Sequence, residues 1–207
     1  RAIDLDDGTN TNLQKGSATE AAYAYLANGS PARVGYHVAF TKPVVLEPRH
    51  GSFVFQPTSM VAGHPDRSPV TITGQRPGAP TVGGDTRVAT FNVLNYFSDL
   101  GVDEAGCTGY PDRTGAFVTA KKCRVRGAFS HEAFANQQAK IVAAINALGA
   151  DVVALEEIEN PLAVGSSTDR DASLARLVEA LNEAAGAGTW AYVPSPPIIP
   201  ADEDVIR

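Results

Sequence analysis

DVVALEEIEN, residues 151–160, is the stretch whose reading decides the fold. Val152, Val153, Ala154 and Leu155 form a short apolar run. A strand with one wet face would alternate, so a continuous run marks a strand covered on both faces of a sheet. The run then breaks into carboxylates at Glu156, Glu157 and Glu159. Strand ends are where α/β folds carry their chemistry. Successive side chains on a strand point to opposite faces, so Glu156 and Glu157 cannot aim into one pocket. A carboxylate at a strand end suits a hard cation such as Mg²⁺. Taken alone, the stretch reads first as a solvated strand end.

A second stretch, TRVATFNVLNYF at 86–97, has the same form: an apolar strand that leaves through Asn92 and Asn95. The two are joined by a long polar segment, 98–129, and then by a helix. Ser130 is the expected N-cap, and Glu132 in the first turn suits the helix dipole. Phe134, Gln138, Ile141, Ile145 and Leu148 recur at helical spacing, which is core packing, and Gly149 supplies the stop. After the glutamates, 160–167 reads as a loop. A helix capped by Asp171 or Ser173 follows, burying Leu174, Leu177, Val178 and Leu181. TWAYV, 189–193, reads as a further strand, and PSPPIIPADEDVIR is Pro-rich and acidic.

This order of strand with Asn, long loop, helix and strand with Glu resembles the endonuclease/exonuclease/phosphatase superfamily. The pattern TFNVLNYF, a Cys-containing loop, QQAKIVAAINAL and DVVALEEIEN is similar to that of bacterial secreted, ExeM-like nucleases over about residues 87–192. The resemblance implies an α/β fold, here part of a four-layered α/β sandwich over 87–207. It implies a catalytic and metal-binding pair, Asn92 and Glu157, taking Mg²⁺ or Mn²⁺, with Ca²⁺ as an alternative. Glu156 then supports the site or faces solvent, and Glu159 pairs with a nearby cation. The departures matter as well. Gln138 stands where the family has Arg. The general-base His and its Asp fall in the later half of such a domain, and His131 is the only histidine after residue 86. These residues therefore resemble the first half of a nuclease domain, with an incomplete site, and the remainder is expected as a separate chain, as a cleaved part, or to be absent.

Bulk properties constrain the reading. The formal net charge is −6, so no general basic surface advertises nucleic acid, although a local patch can. No apolar run reaches the ~18 residues of a membrane span. Cys107 and Cys123 lie in the polar segment at a spacing that fits no zinc motif. In a cytosolic enzyme they would be reactive or incidental. In a secreted protein, which the resemblance implies, they are expected as a disulfide. The same segment concentrates Lys121, Lys122, Arg124 and Arg126, the expected contacts to a DNA or RNA backbone.

Residues 1–73 read as a β-rich module. Val34, Tyr36, Val38 and Phe40 alternate, two apolar runs flank the turn PRHGS, and Val70 and Ile72 suggest one more strand. Residues 21–27 suggest a short helix. The resembling nucleases carry an oligonucleotide/oligosaccharide-binding (OB)-like module here. His37, His50 and His64 show no metal spacing and read as surface or structural residues. GQRPGAPTVGGDT, 74–86, is the expected linker. The resulting expectation is a secreted, metal-dependent phosphodiesterase acting on nucleic acid. The same stretches also fit a phosphomonoesterase or lipid phosphodiesterase of that superfamily, or a non-catalytic polyanion-binding fragment.

Overall fold

The computed structural model describes residues 2–10, 24–25, 32–75, 77–78, 80–112, 114–196, 198 and 204–207. It is mixed α/β, with several small sheets and few helices. The chain divides into two compact units, Arg1–Pro80 and Thr81–Arg207.

The first unit holds strands β1 (Asp4–Leu5), β2 (His37–Phe40), β3 (Val44–Arg49), β4 (Ser52–Pro57) and β5 (Val70–Thr73). The order β1-β4-β3 makes one sheet, with β1 parallel to β4, and β2 pairs antiparallel with β5. β3 and β4 form the hairpin expected around PRHGS, closed by the Arg49–Ser52 pair. Its two loop residues, His50 and Gly51, have φ of 50° and 80°. Left-handed residues at both loop positions match the twist of the strands they join. β2 starts later than the alternation suggested: Val34 and Gly35 lie in a turn closed by Tyr36 N–H to the Arg33 carbonyl, and all four strand residues are exposed. The helix expected at 21–27 lies outside the described residues, apart from a turn at 24–25.

The second unit is built on β6 (Val88–Tyr96), β7 (Thr108–Pro111), β8 (Phe117–Lys121), α1 (His131–Ala147), β9 (Val152–Ile158), α2 (Pro161–Val164) and α3 (Ala172–Ala185). The two apolar strands pair parallel to one another, Val88 with Val152 through Asn92 with Glu156. Helix α1 lies between them in sequence, as parallel pairing requires a crossover. Ser130 caps it as expected, its Oγ accepting the Ala133 N–H at 3.2 Å. Gly149 follows the helix with φ of 60°, a conformation that glycine adopts without cost.

One face of the β6–β9 pair meets α1 and α3. Phe91, Val93, Val153 and Leu155 pack there with Phe134, Ile141, Ile145 and Leu177. Ile145 is 1% exposed, and truncating it to Ala should cost about 2–5 kcal/mol through lost burial and the cavity left behind. On the opposite face Val88, Asn92, Val152 and Glu156 are exposed. The continuous apolar run at 152–155 predicts cover on both faces, and among the described residues only one face is covered. Residues 205–207 lie antiparallel against the end of β9, with Ile158 N–H to the Arg207 carbonyl at 2.8 Å and Asn160 N–H to the Val205 carbonyl at 2.8 Å.

The long loop 98–129 contains the β7–β8 hairpin, and Cys107 and Cys123 join its two sides in the expected disulfide with Cα atoms 5.1 Å apart. Two local expectations are corrected. Residues 160–167 include the short helix α2, begun by Pro161, whose missing N–H costs nothing at a first helical position. Residues 189–193 form no strand. Trp190 is instead held by its neighbours, its ring N–H donating to Asn146 Oδ1 at 2.7 Å and its backbone N–H to Asn182 Oδ1 at 2.8 Å.

Candidate functional site

The candidate site lies where β6 and β9 end side by side. Asn92 is the register partner of Glu156, and pairing resumes at Tyr96 with Ile158. Between these pairs β6 spends three residues and β9 only Glu157, so β6 bulges outward. The bulge is built from left-handed residues: φ is 53° at Leu94, 54° at Asn95 and 64° at Glu157. For a residue with a Cβ this conformation costs about 1–2 kcal/mol. Asparagine tolerates it better than leucine or glutamate. Such strained residues persist only where surrounding structure holds them, and they cluster at functional sites.

Three side chains hold the bulge: Asn92, Glu157 and Gln137. Asn92 Oδ1 accepts the Leu94 N–H at 2.8 Å, an Asx turn that starts the corner. Asn95 N–H donates to Glu157 Oε2 at 3.2 Å. Gln137 of α1 reaches the corner from the other side, its Nε2 donating to the Leu94 carbonyl at 2.7 Å. The structure therefore brings Glu157 to the backbone of Asn95 and sets Asn92 opposite Glu156, with both carboxylates at the same strand ends.

Among the described residues, no group of three or more His, Cys, Asp or Glu side chains could hold a metal ion. An all-protein cage is therefore not the kind of site these residues fit. Mg²⁺ usually keeps several waters and is held by one or two carboxylates together with substrate phosphates. Glu157, half-buried beside amide groups, fits that second kind.

A groove of about 1070 Å³ adjoins the corner, with Asn92, Asn95, Arg126, Gln137 and Lys140 in its lining and Glu157 outside it. The four expected phosphate contacts disperse. Lys121 sits 4.5 Å from the centre of the Tyr110 ring. Arg124 donates its backbone N–H to Glu104 and its guanidinium to the Ala163 carbonyl. Arg126 pairs with Asp204 at 2.8 Å and lines the groove. Lys122 is exposed in a left-handed conformation, φ 60°. His131 is the exposed first residue of α1.

Glu159 differs from the expectation of a simple cation partner. It is fully buried. Its Oε2 accepts from the Ser98 N–H at 2.7 Å, Ser98 Oγ at 3.0 Å and Ser173 Oγ at 2.5 Å. Its Oε1 is buried without a hydrogen-bond partner among the described residues. Burial pushes its carboxyl up to about 7, and the nearby Asp99 carboxylate adds to the rise. Two features of the sequence bear on this region. Asn95, three residues after Asn92, is a residue type suited to a left-handed corner. Gln138, the one polar member of the α1 stripe, accepts the Tyr96 hydroxyl at 2.6 Å. Compared with protein-family models, curated proteins and solved structures, the chain matches none.

Proposed function

We propose that the chain is part of a secreted, divalent-metal-dependent phosphodiesterase that hydrolyses nucleic acid, with unit 81–207 part of a four-layered α/β sandwich and unit 1–80 an OB-like module. The observation that carries the reading is the corner where β6 and β9 end. A carboxylate and two asparagines meet there on adjacent parallel strands, held by three left-handed residues none of which is glycine. Backbone of that kind is costly, and a stability role gives no reason for it.

In this reading Glu157 holds Mg²⁺ or Mn²⁺, and the ion supplies Lewis-acid polarisation of a phosphoryl oxygen. The protein's own groups orient the rest. Because Asn92 Oδ1 is committed to the Leu94 N–H, its amide NH₂ is the end left to donate to a phosphate oxygen. Asn95 N–H fixes one oxygen of Glu157, which sets the direction of the other. Arg126 and Lys140 line the adjoining groove and offer charge to a phosphate backbone. The disulfide across the β7–β8 hairpin is compatible with a secreted protein.

The test has two parts. Mn²⁺ titrated into the 207-residue chain should broaden the NMR signals of Asn92, Asn95 and Glu157 before any others. The protein in the form that accumulates in its native source should cleave DNA or RNA only with the metal present. Turnover of sphingomyelin or a phosphomonoester instead would move the substrate class. Oligonucleotide binding with no metal-dependent turnover would make the chain a polyanion-binding module.

A further inference from the structure

We infer that Gln137 is a positioning residue for Glu157, acting through the left-handed corner of β6. The inference rests on the metal-site reading above and deepens it. The corner, Leu94–Asn95, has an Asx turn beneath it but no ladder partner on β9, because Glu157 alone spans the gap. Its carbonyls need donors, and they find one side chain. Gln137 Nε2 lies 3.5 Å from the Val93 carbonyl, 2.7 Å from the Leu94 carbonyl and 3.4 Å from the Asn95 carbonyl. Three successive carbonyls converge on one amide, so the contact fixes the path of the corner as well as satisfying an acceptor.

The consequence reaches the carboxylate in one step. The same corner turns the Asn95 N–H toward β9, where it donates to Glu157 Oε2. Glu157 itself has φ of 64°, so nothing in an ordinary strand holds its side chain in place. Gln137 is supplied by the middle of α1, and that helix is anchored by Phe134, Ile141 and Ile145 in the core. Next to it Gln138 accepts the Tyr96 hydroxyl, tying the first residue after the bulge to the same helix. The chain of contacts thus runs from the core helix to the corner, from the corner to an N–H, and from the N–H to the carboxylate. Gln137 touches neither the Glu157 side chain nor any group proposed to meet substrate directly, so its role is to orient.

The experiment compares Gln137→Met with wild type in the 207-residue chain. Methionine keeps the length and helix preference of glutamine and removes the donor. Asn136→Ala is the control, since Asn136 lines the same groove without touching the corner carbonyls. Two readouts are taken: amide hydrogen exchange at Asn95, and Mn²⁺ affinity from paramagnetic broadening. Losing the donor shared by the exposed Leu94 carbonyl and the part-buried Val93 and Asn95 carbonyls should speed exchange at Asn95 about tenfold and weaken Mn²⁺ binding severalfold, while the control stays within twofold of wild type. Exchange at Asn95 unchanged in a folded Gln137→Met protein overturns the inference. Should wild type bind no Mn²⁺, the metal reading fails by itself, and the exchange measurement alone decides whether Gln137 holds the corner. If Gln137→Met does not fold, Gln137→Glu, which keeps the shape but turns an oxygen toward the carbonyls, is read in its place against the same criterion.

Discussion

Glu159→Gln should make the second unit more stable at pH 8 than the wild type, although it removes a charge and keeps every neighbour. The wild-type carboxyl is fully buried. Desolvation, reinforced by the Asp99 side chain and opposed by the Ser173 hydroxyl, raises it from its ordinary 4.5 to about 7. The sign follows from proton counting. Below pH ~4.5 folded and unfolded chains both carry the proton. Between there and about 7 only the unfolded chain releases it, so stability falls as pH rises through this window. At about 1.4 kcal/mol per pH unit the loss amounts to about 3 kcal/mol. Titration is shared with Asp99, so the midpoint belongs to the pair. Glutamine mimics the protonated form: its oxygen accepts from Ser98 and Ser173, and its NH₂ takes the place of Oε1 without a charge to desolvate. Trp190 is the sole tryptophan and lies in the second unit, so its fluorescence reports that unit's melting. The difference in Tm between variant and wild type should grow by about 10 °C from pH 5 to pH 8, taking about 3–5 °C per kcal/mol. A difference that stays flat across this range would show that Glu159 folds already ionised, and the account of its burial would be wrong.

The other predictions concern the site and its surroundings. If the proposed phosphodiesterase activity holds, Glu157→Gln should lower DNA cleavage by at least about 100-fold, in line with losing one charge-stabilising group, while Glu156→Gln costs far less and both melt near wild type. If Glu156→Gln is instead the inactive one, the Asn92–Glu156 register pair is the functional one. Replacing Arg126 and Lys140, the two cations that line the groove, by Ala should lower the slope of log affinity for DNA against log salt by about 2; an unchanged slope assigns both to solvation. Reducing the Cys107–Cys123 bond should destabilise the hairpin segment by about 3 kcal/mol through chain entropy. Thiol labelling of both cysteines in the unreduced, unfolded protein would contradict the bond itself.

Local patterns in the amino-acid order were enough for the elements whose interactions are local. Ser130 and Gly149 bound α1, because a cap and a left-handed stop act within one turn of the residues they serve. His50–Gly51 closed the β3–β4 hairpin for the same reason. The apolar runs at 88–91 and 152–155 became strands, and their parallel pairing follows from the helix between them. What periodicity does not contain is which distant groups meet. The β7–β8 hairpin has no alternation in TGYP or FVTAK clear enough to announce it, and a bond between residues sixteen apart closes its open end. TWAYV has strand composition, yet Asn146 and Asn182 on two helices take its tryptophan and the ladder never forms. Glu159 sits two residues after Glu157 in the same acidic run, and its burial is decided by Ser98 and Ser173 arriving from elsewhere in the chain. The corner at Leu94–Asn95 is the clearest case. Alternation along a strand holds as far as the Asn92–Glu156 pair, and beyond it left-handed residues at Leu94 and Asn95, contacted by Gln137 from a separate helix, and at Glu157 set that alternation aside.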